Sequence, residues 1–172
     1  TGQERFLVIA EKSLEFLDQD AFRDGFFRPV GCNGWRLRGA ESALYDEQPL
    51  EASMSTLAHL VAYEVTGDGA MLESARRSFA WYAGENSGRK SMIDPETGGC
   101  YDGIMMGGMN RNQGAESIIG YVIASLALAN VETAVENNRL VCRSSRILGQ
   151  GSRNSAQEGK ADENATVHQP WS

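Results

Sequence analysis

Hydrophobic residues recur at helical spacing in four segments of this 172-residue chain. Apolar positions fall at i, i+3, i+4 and i+7, which places them on one face of an α-helix. We predict helices at approximately 4–22, 49–65, 70–85 and 114–136. The fourth segment is apolar on nearly every side, and a helix of that kind is usually packed against other elements on all sides.

The connections between these helices differ in length. Helices two and three are joined by "TGDGA", in which Gly67 can end one helix and Asp68 can cap the next. The other two connections are long, and long loops in a compact domain are usually functional or disordered. In the second of them, "DPETGG" predicts a turn between short extended pieces, with Pro95 and Gly98 at favourable turn positions.

The predicted fold is all-α, with about two antiparallel helix hairpins. If the helices alternate in direction, both long loops lie at one end of the bundle, together with the N-termini of helices two and four. After Glu136 the chain becomes polar and rich in Gly and Ser, without periodicity. We therefore predict a helical domain over 1–137 and a disordered tail over 138–172.

Charge and composition argue against several classes of function. The formal net charge is -7, which argues against nucleic-acid binding and against docking on anionic lipid. The apolar run 118–131 is interrupted by polar residues and glycine, so we predict no membrane span. The sparse cysteines favour reduced thiols in a cytoplasm, although a Cys32–Cys100 bridge stays open. Neither His59 nor His168 has the spacing of a zinc site or a catalytic triad, and we predict no metal and no cofactor.

Polar residues crowd the starts of helices two and four. Helix two opens with "YDEQPLEAS" and helix four with "NRNQGAES", which place Glu51 and Glu116 in first helical turns. The helix macrodipole favours negative charge there, so capping alone is one interpretation. The other is ligand binding, because amides such as Asn112 and Gln113 add donors and acceptors that suit a polyhydroxylated ligand.

Aromatic and acidic residues in the same loops extend the ligand interpretation to a sugar. Trp35, Tyr45 and Tyr101 could stack on sugar rings, with packing inside the loops as an equal alternative. Paired carboxylates suit acid–base chemistry on a glycosidic bond. The candidate catalytic residues are Glu51, Asp102 and Glu116, and the residues alone do not show which is the acid and which the base.

Four stretches carry a resemblance to a known family: "FRPVGCNGW", "YDEQPLEAS", "DPETGGCYDG" and "NRNQGAES". Together they resemble the C-terminal helical region of bacterial proteins classed as glycosyltransferases, which is related to the α/α-toroid, six-hairpin glycosidase-like superfamily. The resemblance covers roughly 6–128. It implies that the chain is part of an α/α toroid, with the long loops at its sugar-facing end. By position it implies cleft residues at Asp46, Glu47, Gln48, Glu51, Asp102, Asn112, Gln113 and Glu116.

The expected function is therefore a carbohydrate-active one, in glycan processing or glycosyl transfer. The candidate substrate-binding residues are Trp35, Asp46, Glu47, Gln48, Tyr101, Asn112 and Gln113. Expected partners are a carbohydrate or glycoconjugate, the rest of the toroid and a glycosyltransferase domain. We expect activity from the full-length protein and not from this chain alone. Two alternatives stay open: a glycan-binding or scaffolding domain without catalysis, and a plain helical interaction domain whose two long loops splay apart.

Overall fold

The computed structural model describes residues 2–22, 24–34 and 36–158. These residues form four α-helices and one small antiparallel sheet, so the predicted helical fold class is confirmed. The helices are α1 Glu4–Ala21, α2 Pro49–Thr66, α3 Gly69–Ala80 and α4 Ala115–Glu158. The strands are β1 Gly103–Met105 and β2 Gly108–Asn110, and a 3-10 turn, Trp81–Ala83, follows α3.

The short connection between α2 and α3 has the structure that its sequence predicts. Gly67 ends α2 in the left-handed conformation, with φ 71°, which glycine adopts without steric cost. The Asp68 side chain then accepts a hydrogen bond of 2.9 Å from the backbone N–H of Ala70. This cap starts α3 immediately, so α2 and α3 pack against each other as a tight hairpin.

A buried cluster lies beneath the loops that follow α3. Its largest side chains are Trp81 and Tyr82, whose rings meet edge to face with centroids 5.3 Å apart. The Tyr82 hydroxyl donates a 2.6 Å hydrogen bond to the backbone oxygen of Pro49, which anchors the start of α2 to this core. The cluster consists of Phe27, Ala52, Trp81, Tyr82, Met92, Cys100 and Ile104.

The two long loops meet each other. The N–H of Glu47 donates to the oxygen of Ile104 at 3.0 Å, and the N–H of Ile104 donates back to Glu47 at 2.9 Å. Gly103 permits this approach, because a Cβ atom there would lie 2.4 Å from the Glu47 oxygen. The loops therefore do not splay apart, and they reach the same end of the α2–α3 hairpin.

The second loop contains the predicted turn and a hairpin that the pattern did not indicate. Gly98 has φ 71° and donates to the oxygen of Asp94 at 2.8 Å, while Ile93 and Cys100 pair in antiparallel fashion. Three-residue strands β1 and β2 then pair with Gly103 opposite Asn110. Strands this short leave too few alternating positions for a sequence pattern to show.

Several apolar helix faces remain exposed in this chain. Helix α1 has no buried residue, and Leu17 on its apolar stripe is 58% exposed. Val65 on α2 and Leu126 on α4 are similarly exposed. The predicted stripes are thus real helical faces, but this chain does not bury all of them.

The chain divides into two compact units, Thr1–Val131 and Glu132–Ser172. Helix α4 runs well past its predicted end near Glu136, so 138–158 of the predicted disordered tail is helical and 159–172 lie outside the described residues. A nucleated helix gains one hydrogen bond for each added residue, which lets a polar sequence continue it. The domain boundary after 137 stays a prediction.

Helix α4 includes one segment, Ala115–Leu140, that is long and apolar enough to cross a membrane by length and composition. The most apolar 18-residue window within this segment has a mean hydropathy of 1.7, although the sequence pattern had indicated a run too short and too interrupted for this. The core helix of a soluble protein passes the same test, so this one segment is weak evidence and does not decide where the protein resides.

Candidate functional site

The N-termini of α2 and α4 border a single pocket of about 280 Å³, which we call the N-terminal pocket. Both long loops contribute to it, as the alternation of helix directions led us to expect. Its walls include Gln48, Leu50, Asp102, Asn110, Glu116 and Ser117. Most of these side chains are polar, so the pocket offers hydrogen-bond donors and acceptors together with carboxylates.

Asp102 organises one side of the N-terminal pocket. Its Oδ1 accepts hydrogen bonds from the N–H of Gly114 at 2.7 Å and from the Ser117 hydroxyl at 2.6 Å. Its Oδ2 accepts from the side-chain amide of Asn112. Desolvation by itself would raise the pKa of Asp102, but these three donors outweigh it and hold the pKa below its ordinary value. Asp102 is therefore an ionised cap on the first turn of α4.

The pKa of Glu51 is shifted in the opposite direction, above its ordinary value. Burial raises the pKa of Glu51, its own backbone amide partly offsets the rise, and the Glu116 carboxylate adds to it. The Glu51 carboxyl, however, lines a different cavity from Glu116, so the three candidate catalytic carboxylates do not share one pocket.

Glu47 is a core residue in this structure. Its side chain is fully buried, with Oε2 accepting from the Trp81 indole N–H at 3.0 Å and Oε1 lying 3.3 Å from Arg28 Nε. A carboxylate enclosed in this way stabilises the junction of the two loops. The binding role predicted for Glu47 does not fit this position, because a ligand could not reach its oxygens without opening the core.

The two amides predicted to bind substrate are engaged within the loops. Asn112 donates to Asp102, as described above. Gln113 donates to Asp94 Oδ2 at 2.7 Å, and its oxygen accepts from the Thr97 hydroxyl at 2.9 Å. Gln113 thus ties the "DPETGG" turn to the chain just before α4. Both side chains shape the loop beside the N-terminal pocket.

The remaining predicted binding residues lie in different places. Gln48 lines the N-terminal pocket, and Trp35 lies outside the described residues. Asp46 is half-buried, and its backbone oxygen accepts from the N–H of Cys32 at 3.0 Å. Tyr45 and Tyr101 pack against the buried cluster, which is the loop-packing alternative for these aromatic residues.

Among the polar side chains that line the N-terminal pocket, those of Asn110 and Ser117 were not in the predicted site. Ser117 is buried in the first turn of α4, and its hydroxyl donates a hydrogen bond to Asp102. A serine in the first turn of a predicted helix is a local signal for hydrogen bonding near the N-terminus. That signal does not identify its partner, which comes from a loop fifteen residues upstream.

A second, larger cavity of about 460 Å³ lies between α1 and α2 and is mostly apolar. We call it the α1–α2 cavity; its lining includes Leu17, Phe27, Val30, Glu51, Met54 and His59. His59 is 1% exposed. Its Nε2 lies 3.1 Å from Asp18 Oδ2 and its Nδ1 lies 2.8 Å from the Ser55 oxygen.

The pKa of His59 reflects both its burial and these acceptors. Desolvation lowers the pKa, but the hydrogen bond and charge of Asp18 and the hydrogen bond to the Ser55 oxygen raise it above the ordinary value. Both ring nitrogens face acceptor oxygens, so the fully bonded state of the ring is the imidazolium. The His59–Asp18 contact therefore tethers α1 to α2, and it becomes an ion pair when the ring is protonated.

Cys32 and Cys100 are both thiols in this structure. Cys32 is exposed and Cys100 is buried, and both are free. Burial raises the pKa of Cys100 to about 12, with a further contribution from the Asp102 charge. Cys100 is thus an uncharged core residue at neutral pH and not a nucleophile.

Comparison with known proteins adds no family to this picture. No protein-family description matches the chain, and no curated protein shows significant similarity to it.

Proposed function

We propose that this chain belongs to a carbohydrate-active protein, in glycan processing or glycosyl transfer, and that the N-terminal pocket holds a glycosyl group. The observation that carries the proposal is the convergence of both long loops and two helix N-termini on one polar pocket. A plain helical interaction domain would not need its loops joined, and here Glu47 and Ile104 join them through two backbone hydrogen bonds.

The carboxylates have the properties that glycosidic chemistry uses. Acid–base pairs are recognised by environments that shift the pKa values of two carboxyl groups apart. Here the pKa of Asp102 is lowered and the pKa of Glu51 is raised. Glu116 is exposed in the N-terminal pocket and is the carboxylate best placed to meet a ligand there. We therefore propose Asp102 as the ionised carboxylate beside the N-terminal pocket and Glu116 as the residue that contacts the sugar there. Glu51 lines the α1–α2 cavity, so its predicted catalytic role requires a substrate that extends beyond the N-terminal pocket.

The exposed helix faces support a larger assembly. Leu17, Val61 and Leu126 lie on three different helices and are each more than half exposed. In an α/α toroid, further helices would cover such faces, and the burial of each large side chain stabilises by roughly 1.5–3 kcal/mol. We propose that this chain is one part of such a toroid, accompanied by a glycosyltransferase domain.

A second candidate is glycan binding without catalysis. It is favoured by one observation: Asp102 already accepts three hydrogen bonds and is committed to capping α4. In that case the N-terminal pocket would recognise sugar hydroxyls through Gln48, Asn110 and Glu116, and no proton transfer would occur.

Substitution of the two first-turn glutamates separates these candidates. Glu116→Gln and Glu51→Gln would each be introduced into the full-length protein, with Glu64→Gln on the exposed face of α2 as the matched control. Binding to an immobilised oligosaccharide panel and turnover of the same glycans would be measured. Loss of turnover with binding retained supports catalysis, whereas weaker binding without any turnover supports the binding module. If neither substitution changes binding or turnover, both carbohydrate proposals are wrong.

A further inference from the structure

The first long loop contains the one Asn–Gly pair of the sequence, Asn33–Gly34. Both residues are exposed. Within the part of the chain that the structure describes, neither the side-chain amide of Asn33 nor the N–H of Gly34 has a hydrogen-bond partner. Glycine has no Cβ atom to shield its nitrogen from the side chain before it, and asparagine is a thermally labile residue. The amide carbon and the nitrogen that can attack it are therefore both unprotected.

The main chain at this pair is held against the end of the same loop. The N–H of Asn33 donates to the oxygen of Tyr45 at 3.0 Å. A Cβ atom on Gly34 would lie 2.9 Å from the Cβ atom of Ala43, so the two segments are in close contact there. The segment that contains Ala43 and Tyr45 leads directly into Glu47, which joins the two long loops. A change of main-chain length at position 33 would therefore act on this junction.

We propose that Asn33 is a modification site at which the chain deamidates itself. The Gly34 nitrogen gives up its proton to water and attacks Cγ of Asn33. A new C–N bond closes a succinimide ring, the bond from Cγ to the side-chain nitrogen breaks, and that nitrogen leaves as ammonia. Water then opens the ring at either of its two carbonyl groups. The products are aspartate and isoaspartate, and the only co-reactant is water.

The two products differ in their effect on the loop. Aspartate at position 33 leaves the main chain unchanged and adds one negative charge at an exposed position, where a substitution changes stability little. Isoaspartate adds one carbon atom to the main chain, which displaces Gly34 relative to Ala43. We expect the isoaspartate form to unfold at a lower temperature than the parent. The reaction needs only this chain and water, so it extends beyond the proposed carbohydrate function and does not depend on it.

Peptide mapping measures the modification directly. The 172-residue chain would be incubated in neutral buffer at physiological temperature, digested with trypsin and analysed by mass spectrometry, with an unincubated sample digested in parallel. Asn33 is the only side-chain amide of the tryptic peptide 24–36, so the mass increase from amide to acid in this peptide identifies it. We expect conversion in the folded chain at a rate of the same order as in a synthetic 24–36 peptide. Protection of the folded chain while the free peptide converts would overturn the proposal.

Asn86 is an internal control in the same digest. It is buried, and its side-chain nitrogen donates to the oxygens of Trp81 at 2.7 Å and Lys90 at 2.8 Å. Asn86 is also the only side-chain amide of its tryptic peptide, 78–89, so its conversion is read in the same way. We expect no conversion of Asn86 while the chain is folded. Equal conversion of Asn33 and Asn86 would show that exposure does not select the site and would refute the proposal.

Asn33→Gln is the matched variant, because it keeps the amide but the longer side chain closes a larger ring far more slowly. We expect no mass increase in its 24–36 peptide. Thermal denaturation followed by circular dichroism compares the incubated parent with incubated Asn33→Gln, and a lower-melting fraction is expected in the parent alone. Identical melting of the two after measured conversion would contradict the effect on the loop junction. A mass increase in Asn33→Gln equal to that of the parent would exclude the succinimide route.

Discussion

Asp102 accepts a hydrogen bond of 2.6 Å from Ser117, and through this bond a loop carboxylate caps the start of α4. We expect Asp102→Ala to lower the free energy of unfolding by about 1–2 kcal/mol, the usual cost of a lost helix cap. Urea denaturation followed by circular dichroism measures this. Ser117→Ala removes one of the three donors and should cost less than Asp102→Ala; a larger loss for Ser117→Ala would contradict the capping role.

The buried carboxylate of Glu47 depends on Arg28. Arg28→Met should destabilise the protein by about 3–5 kcal/mol, because it leaves the Glu47 charge buried without its basic partner. Asp24→Asn removes the exposed partner of the same arginine and should cost less than about 1 kcal/mol. Chemical denaturation of both variants gives the comparison. Similar losses for the two would show that the Glu47 ion pair has no special importance.

The contact between the two loops requires glycine at position 103. In Gly103→Ala the new methyl group would lie against the Glu47 oxygen, so we expect a loss of about 1–3 kcal/mol from overpacking and from the weakened Glu47–Ile104 pair. Gly107→Ala is the matched control in the same hairpin, because a Cβ atom there meets nothing within 4 Å. Equal thermal stability of the two variants would show that the loops can separate freely.

The His59–Asp18 pair should make stability depend on pH. Since the pKa of His59 is raised in the folded state, its contribution is fully present below the ordinary value of 6.5 and is lost as the pH rises through the folded pKa. Asp18→Asn should flatten this dependence. The free energy of unfolding of both proteins, measured at pH values on both sides of 6.5, tests this prediction. If Asp18→Asn showed the same pH dependence as the parent, the His59–Asp18 pair would be excluded as its source.

Glu51 should add a second, more acidic dependence. Its pKa is raised on folding, so the folded state holds its proton more tightly and stability falls as the pH rises from 4.5 through the folded pKa. Glu51→Gln should therefore be more stable than the parent at neutral pH and should lack this decline. Thermal denaturation across that range measures both effects; a Glu51→Gln variant less stable than the parent at neutral pH would contradict the burial argument.

Local sequence signals predicted the helices and their tight connections well. The starts of α1 and α2, the Gly67 end of α2 and the Asp68 cap all follow from apolar spacing and from the conformational preferences of single residues. The "DPETGG" turn follows for the same reason. Such features depend on neighbours within a few positions, which a linear pattern contains.

The distinction between Glu47 and Glu116 could not be predicted in this way. Both glutamates stand among polar residues near a helix start, yet one is fully buried and the other is exposed. Glu47 is enclosed because folding brings Trp81, 34 positions later, against its Oε2 and brings Arg28 against its Oε1. Nothing in the segment "YDEQPLEAS" indicates either partner.

Apolar spacing was therefore enough to establish that this chain forms helices and where most of them begin. The path of the chain in three dimensions decided which acids became structural and which line a cavity. The physical reason is that helix formation is governed by hydrogen bonds four residues apart, whereas desolvation and pairing of a carboxyl group depend on residues brought close only by folding.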